Sequence, residues 1–161
     1  MTTQVSRRGL ELQAWVGFLR AHAAITRQLD RELVAEHGLT INDYEVLVHL
    51  SRADDEMLRR VDLAERVLLT PSGITRLLDG LERSGLVSKA ACDSDARVVY
   101  AKLTEKGAKR LDSASKSHLA SVRSLFGERF DEDELERLSE FLSRLPQTNG
   151  ATDCGAEPAC E

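Results

Sequence analysis

The chain has 161 residues, 42% of them hydrophobic, with 22 Lys and Arg against 27 Asp and Glu. That is enough for one domain, or one compact body with extensions, to bury a substantial core, and it excludes a wholly basic nucleic-acid coat. No apolar run approaches the ~20 residues that span a bilayer. The N-terminal Met-Thr-Thr-Gln-Val-Ser-Arg-Arg lacks the apolar segment of a signal peptide, so a cytoplasmic protein without membrane attachment is expected. Its three cysteines are too few and too unevenly placed for a disulfide framework, which fits a reducing compartment. The average charge hides a local field: Arg59 to Arg110 holds eleven Lys and Arg against seven Asp and Glu, while the remainder holds eleven against twenty.

Residues from about Leu10 to His37 read as one long helix ended by Gly38, with Leu12, Trp15, Leu19, Ala23, Thr26, Leu29 and Leu33 at three-four spacing. Leu10, Phe18, Ile25 and Val34 widen its apolar face, and part of that face is expected to meet another chain. Thr40 and Asp43 form a variant capping box that opens a second helix to about Arg52. After a polar connection, residues 57–60 suit a short extended piece. Val61 to Leu68 suits a third helix with core positions Leu63, Ala64 and Val67.

A turn of few residues leads to Thr70-Pro71, a hydroxyl cap followed by a residue whose fixed φ suits the first helical turn. Ile74, Leu77, Leu78 and Leu81 then form one apolar stripe, and Gly85 terminates the helix. Two short helices joined in this way make a helix-turn-helix. The outer face carries Ser72, Thr75, Arg76, Asp79 and Arg83, small and polar at its N-terminal end, as a helix lying in a DNA major groove requires. An ordinary amphipathic surface helix has a similar outer face, and the neighbouring elements tip the balance.

Residues 86–89 and 97–103 read as strands around a polar seven-residue loop, 90–96, making a β-hairpin wing. Thr104 opens a further helix whose apolar positions Ala108, Leu111, Leu119, Val122 and Phe126 are interrupted by a serine-rich stretch, 112–117, expected to pack loosely. Asp131 to Glu134 caps a last helix bearing Leu135, Leu138, Phe141, Leu142 and Leu145, which Pro146 stops. The remaining residues are polar and without periodicity, as in a disordered tail. The fold class is therefore mainly α with a small β-hairpin wing.

From about Leu10 to Leu145 the chain resembles the MarR family of transcriptional regulators. Three motifs carry the resemblance in the family's order and spacing: L-A-E-R-V-L-L-T-P-S-G-I-T-R-L-L-D-G-L-E-R-S-G-L-V (Leu63–Val87), Asp95-Ala-Arg97, and L-T-E-K-G (Leu103–Gly107). The resemblance implies a winged helix-turn-helix domain (38–107) between an N-terminal dimerisation helix (1–37) and C-terminal dimerisation helices (108–146), with residues 147–161 as the tail. It also implies a homodimer whose two winged domains grip a near-palindromic double-stranded DNA operator. Half-sites would lie about one DNA turn apart, ~10 bp centre to centre.

The candidate DNA-contacting residues are Thr70, Pro71, Ser72, Thr75 and Arg76, with Ser72 and the helix N-terminus anchoring phosphate and Arg76 reaching a guanine. Arg83 and Lys89 are expected to add phosphate contacts, although solvated charges would look the same. Arg97 resembles the family's wing arginine, which enters the minor groove, and Asp95 stands where it would brace Arg97. Ala96 stands where many relatives carry a second arginine, so this wing has one positive charge fewer.

Family members often bind small aromatic anions between the dimer helices and the DNA domain, and a urate-responsive branch has a tryptophan on the first helix. Trp15, with Arg20, His22 and His49, is therefore the candidate effector set. A core or dimer-interface role is the simpler reading of Trp15, and hydrogen-bonded structure that of the histidines. Cys92, Cys154 and Cys160 are candidate redox thiols, but the first-helix cysteine of the peroxide-sensing branch is absent. The four histidines are scattered without His-x-x-x-His spacing, unlike the zinc-responsive branch, so neither metal nor cofactor is expected.

The function expected is a ligand-responsive homodimeric repressor that reads DNA through recognition helix 71–84 and wing 86–103. Two alternatives stand beside it: a winged-helix protein-interaction module without DNA binding, which the acidic total charge permits, and a thiol-based redox-responsive regulator. An enzyme is not expected, for the chain has neither a Gly-rich phosphate loop nor a nucleophile–base constellation.

Overall fold

The structure, a computed structural model, describes residues 7–92 and 95–146, with side chains described from Gly9 to Ala90 and from Val99 onward. In chain order the elements are α1 (Arg7–His37), α2 (Ile41–Ser51), a 3-10 turn (Asp54–Glu56), β1 (Met57–Arg59), α3 (Arg60–Arg66), α4 (Pro71–Arg83), β2 (Val87–Cys92), β3 (Asp95–Leu103), α5 (Glu105–Gly127) and α6 (Glu132–Ser143). None of the helices described is long and apolar enough to cross a membrane.

Local chemistry sets the helix ends. Gly38 takes φ 66° after α1, and Thr40 and Asp43 form the reciprocal capping box that starts α2. The joint between these helices is pinned from outside the box as well, because the Ile41 amide donates to the Asp30 carboxylate at 2.9 Å. Asp131 and Glu134 repeat the box at α6.

The sheet runs β1-β3-β2, with both neighbours antiparallel to β3. The extended piece expected at 57–60 forms over Met57–Arg59 as the third strand of the wing, Leu58 standing opposite Ala101, while Arg60 already begins α3. The seven-residue loop expected at 90–96 is corrected: β2 continues to Cys92 and β3 begins at Asp95. Ala90 and Ala91 have little strand preference of their own, but they pair with Tyr100 and Val99, and a paired backbone opposite aromatic and β-branched residues overrides propensity. The third helix also ends earlier than expected, at Arg66. Leu68 takes φ 54°, and the Leu69 amide reaches back to the Ala64 carbonyl at 2.9 Å, a helix stop of the kind usually built on glycine.

One core joins these elements. Leu33 of α1, Val46, Leu47 and Leu50 of α2, Leu63 and Val67 after it, Ile74, Leu78 and Leu81 of α4, and Leu86, Val87 and Leu103 at the wing base are all buried together. Leu111 and Ala114 of α5 close it. The serine-rich middle of α5, expected to be loose, is instead a close contact: Ala114 is 0% exposed, and Ser115 and Ser117 meet Tyr44 (3.2 Å) and His37 (2.6 Å). Small side chains let α5 approach α1 and α2, and the hydroxyls find partners there. Leu119, one of the apolar positions of α5, is 49% exposed.

Candidate nucleic-acid interface

The N-terminus of α4 is assembled from its own sequence. The Thr70 hydroxyl accepts a hydrogen bond from the Gly73 amide at 3.1 Å and lies 3.2 Å from the Ser72 hydroxyl, while Pro71 occupies the first turn. Thr75 donates its hydroxyl proton to the Pro71 carbonyl at 2.8 Å, which leaves its oxygen as an acceptor for a donor group such as a base amine. Ile74, Leu78 and Leu81 are buried beneath, so Thr70, Pro71, Ser72 and Arg76 are exposed on the outer side, with Thr75 partly so. With Pro71 lacking an N–H and the Gly73 amide capped by Thr70, the Ser72 amide and the helix dipole favour an anion at this end.

Charge is distributed unevenly along the helix. Arg76 and Arg83 are exposed and carry no ion pair among the described residues. Near the C-terminal end, Glu82 lies 2.9 Å from Lys89 of β2 and 3.8 Å from Arg60 of α3, which also lies 3.6 Å from Asp79. Lys89, expected as a phosphate ligand, is therefore already engaged. Asp79 was legible on the outer face but its pairing was not, and Glu82 was not singled out; their spacing of three on one helix was the available signal, but nothing in the sequence placed Arg60 beside them.

The end of α4 is held by the start of α5. The Lys106 ammonium donates to the Ser84 carbonyl at 2.7 Å, and Arg110, one turn later, donates to the His37 carbonyl at the end of α1. Thr104 caps α5 through the Gly107 amide at 2.9 Å and donates to the Gly85 carbonyl at 2.8 Å. Recognition helix, wing base and α1 are thereby fixed to one rigid element. An open cleft of about 390 Å³, lined in part by Asp43, Ser84, Lys106 and Arg110, lies at this junction.

Of the four residues expected to form one effector site, Trp15 and His22 share a face of α1, while Arg20 and His49 stand apart from them. Trp15, Phe18 and His22 form a ladder of stacked rings on α1, with centroids 6.5 and 6.3 Å apart. Arg20 lies about 140° round the helix from Trp15. His49 stands apart on α2, where burial first, then Arg66 and Arg52, hold its pKa below the ordinary imidazole value. None of the four lines the cleft beneath α4. Asp95, Arg97 and Cys92 occupy β3 and β2, the backbone of Cys92 facing Asp95, and their side chains lie outside the described residues. Cys154 and Cys160 also lie outside them.

A helix-turn-helix whose second helix presents a capped, arginine-bearing outer face beside a three-stranded wing defines a winged helix-turn-helix DNA-binding protein. The sequence model of the MarR family matches residues 37–98. The chain belongs to the MarR family of DNA-binding transcriptional regulators. It is 32% identical to the HTH-type transcriptional repressor YetL of Bacillus subtilis (strain 168) over 114 residues, 69% of this chain and 68% of YetL. It is similar to the crystal structure of AbsC, a MarR family transcriptional regulator from Streptomyces coelicolor, with TM-score 0.75 and 33% identity, covering 88% of this chain and 93% of AbsC. Sco3205, a MarR family regulator from the same organism solved in complex with DNA, gives TM-score 0.76 and 28% identity over 83% of each chain.

Proposed function

We propose that this regulator is a homodimeric, ligand-responsive repressor that grips a near-palindromic operator with α4 in the major groove and the wing in the minor groove. The observation that carries the reading is the N-terminus of α4, where Thr70, Pro71, Ser72, Thr75 and an unpaired Arg76 face outward beside the wing. Arg83 adds a phosphate contact, and Arg97, with Asp95 bracing it, supplies the minor-groove cation. Residues 38–107 form the DNA-binding unit, with dimerisation helices on either side.

Dimerisation is supported by what one chain leaves uncovered. In the N-terminal half of α1, Leu12 is 63% and Trp15 56% exposed, and in α6 Phe141 is 56% exposed. These side chains follow the helical periods that should bury them, and a two-fold partner would do so. An aromatic anionic effector stacking on the Trp15–Phe18–His22 ladder would act where the two chains meet and shift the spacing of the winged domains.

The test is binding to duplex DNA from the gene's own upstream region at two salt concentrations, comparing wild type with Arg76→Ala and Arg97→Ala. Salt-sensitive, sequence-specific binding weakened by both substitutions is expected. Absence of binding by an intact dimer would favour the protein-interaction module. Loss of binding under oxidant that Cys92→Ser abolishes would favour the thiol-based regulator.

A further inference from the structure

We infer that Glu82 positions the wing on the recognition helix, and that Lys89 serves DNA binding through Glu82 rather than as a phosphate ligand. The inference rests on the reading that α4 meets DNA. Glu82 lies in the last turn of α4 with a side chain only 20% exposed, between a cation of β2 and a cation of α3. Its Oε2 lies 2.9 Å from Lys89 Nζ, and its Oε1 lies 3.8 Å from a terminal nitrogen of Arg60. That Arg60 nitrogen is buried without a hydrogen-bond partner among the described residues, so charge attraction to Glu82 and Asp79 is what compensates it. One carboxylate thus ties three elements together.

The chemistry opposes an exchange of partners. If Lys89 swung to a phosphate, Glu82 would keep only the longer contact to Arg60 and would stand unshielded close to the polyanion. Two carboxylates and two cations form a cluster without net charge, which releases no counterions on binding. Arg76 and Arg83, exposed and outside this cluster, supply the salt-dependent contacts of α4.

The test measures affinity for the upstream duplex across a salt series for wild type, Arg76→Gln, Lys89→Gln, Glu82→Gln and the double variant Glu82→Gln/Lys89→Gln, each with a thermal melt. Arg76→Gln should flatten the plot of log affinity against log salt by about 0.9 per protomer. Lys89→Gln should weaken binding about threefold and flatten the slope by clearly less than Arg76→Gln does, through the unshielded Glu82 alone. Glu82→Gln should steepen the slope by freeing Lys89, and adding Lys89→Gln should return it to the wild-type value. A Lys89→Gln slope flattened as in Arg76→Gln, or additive effects in the double variant, would overturn the role of Glu82 alone. A wild type that does not bind, or binds without dependence on Arg76, would overturn the regulator reading and this assignment with it.

Discussion

Gly107 lies directly against the carbonyl of Leu86: a Cβ added to it would sit 2.1 Å from that oxygen and 2.8 Å from a methyl carbon of Leu103. The same Leu86 carbonyl accepts from the Thr104 amide at 3.2 Å, so the start of α5 is seated on the base of the wing by close backbone contact as well as by the Thr104 hydroxyl. Gly107→Ala should therefore cost about 3 kcal/mol, since the Leu86 carbonyl is backbone and cannot yield without shifting the entry to β2. Urea unfolding checks this, with Gly17→Ala as the comparison, because nothing stands within 4 Å of a Cβ there. Equal stability of the two variants would contradict the seating.

Ala114 sits at the contact of α5 with α2 and is 0% exposed. Enlarging it in Ala114→Leu should separate the helices, break the Tyr44–Ser115 hydrogen bond and cost about 1–3 kcal/mol. Ser113→Leu, on the exposed side of the same turn, should be near neutral. Similar melting temperatures for the two would mean that the serine-rich stretch is loose after all.

Leu68 holds a left-handed backbone at φ 54° while its side chain is 71% exposed, so little packing offsets the strain. Leu68→Gly should raise stability by up to about 1 kcal/mol. A clear loss of stability on denaturant unfolding would show that this leucine packs against something in the protein as it exists in solution.

Stability should fall as pH drops below neutrality. Burial, followed by Arg66 and Arg52, lowers the pKa of His49, and burial lowers that of His118 although Glu32 opposes it. With both folded values under 6.5, the unfolded chain takes up these protons first. Their contribution is complete above about pH 6.5 and is lost as pH falls through the folded values. Glu45, raised from 4.5 by burial, acts in the opposite sense: it favours the folded state as pH falls through its folded value. Urea midpoints at pH 7.5, 6.5 and 5.5 should decline, and His49→Gln should reduce the decline. A midpoint that rises towards pH 5.5 would contradict the burial of these rings.

Trp15 is the only tryptophan and is 56% exposed in a single chain. If its face is the dimer contact, emission should shift to the red on dilution from micromolar to nanomolar, and Trp15→Glu should sediment as one chain. Emission independent of concentration, together with a particle already the size of one chain, would remove the dimer from the proposed mechanism.

Much of the α4 surface was legible from residue order, because its causes lie within a few residues of each other. Thr70 caps the amide of Gly73, Pro71 opens the helix, the spacing of Ile74, Leu78 and Leu81 selects the buried side, and Gly85 supplies the left-handed stop. The capping boxes at Thr40 and Asp131 were legible for the same reason. Contacts between distant residues were not. That Ala90 and Ala91 belong to a strand depends on what stands across from them on β3. That the serines of α5 are partners depends on Tyr44, 71 residues away, and on His37, 80 residues away. That Lys89 is engaged depends on Glu82, and that Arg20 and His49 stand apart from Trp15 depends on helix rotation and on where α2 packs. Local sequence by itself determined the order of the helices, their caps and the face that α4 buries, since capping and periodicity act over one or two turns. Only the tertiary structure decided which charges remain free for DNA, because that depends on which elements the packed core brings within a few ångströms of one another.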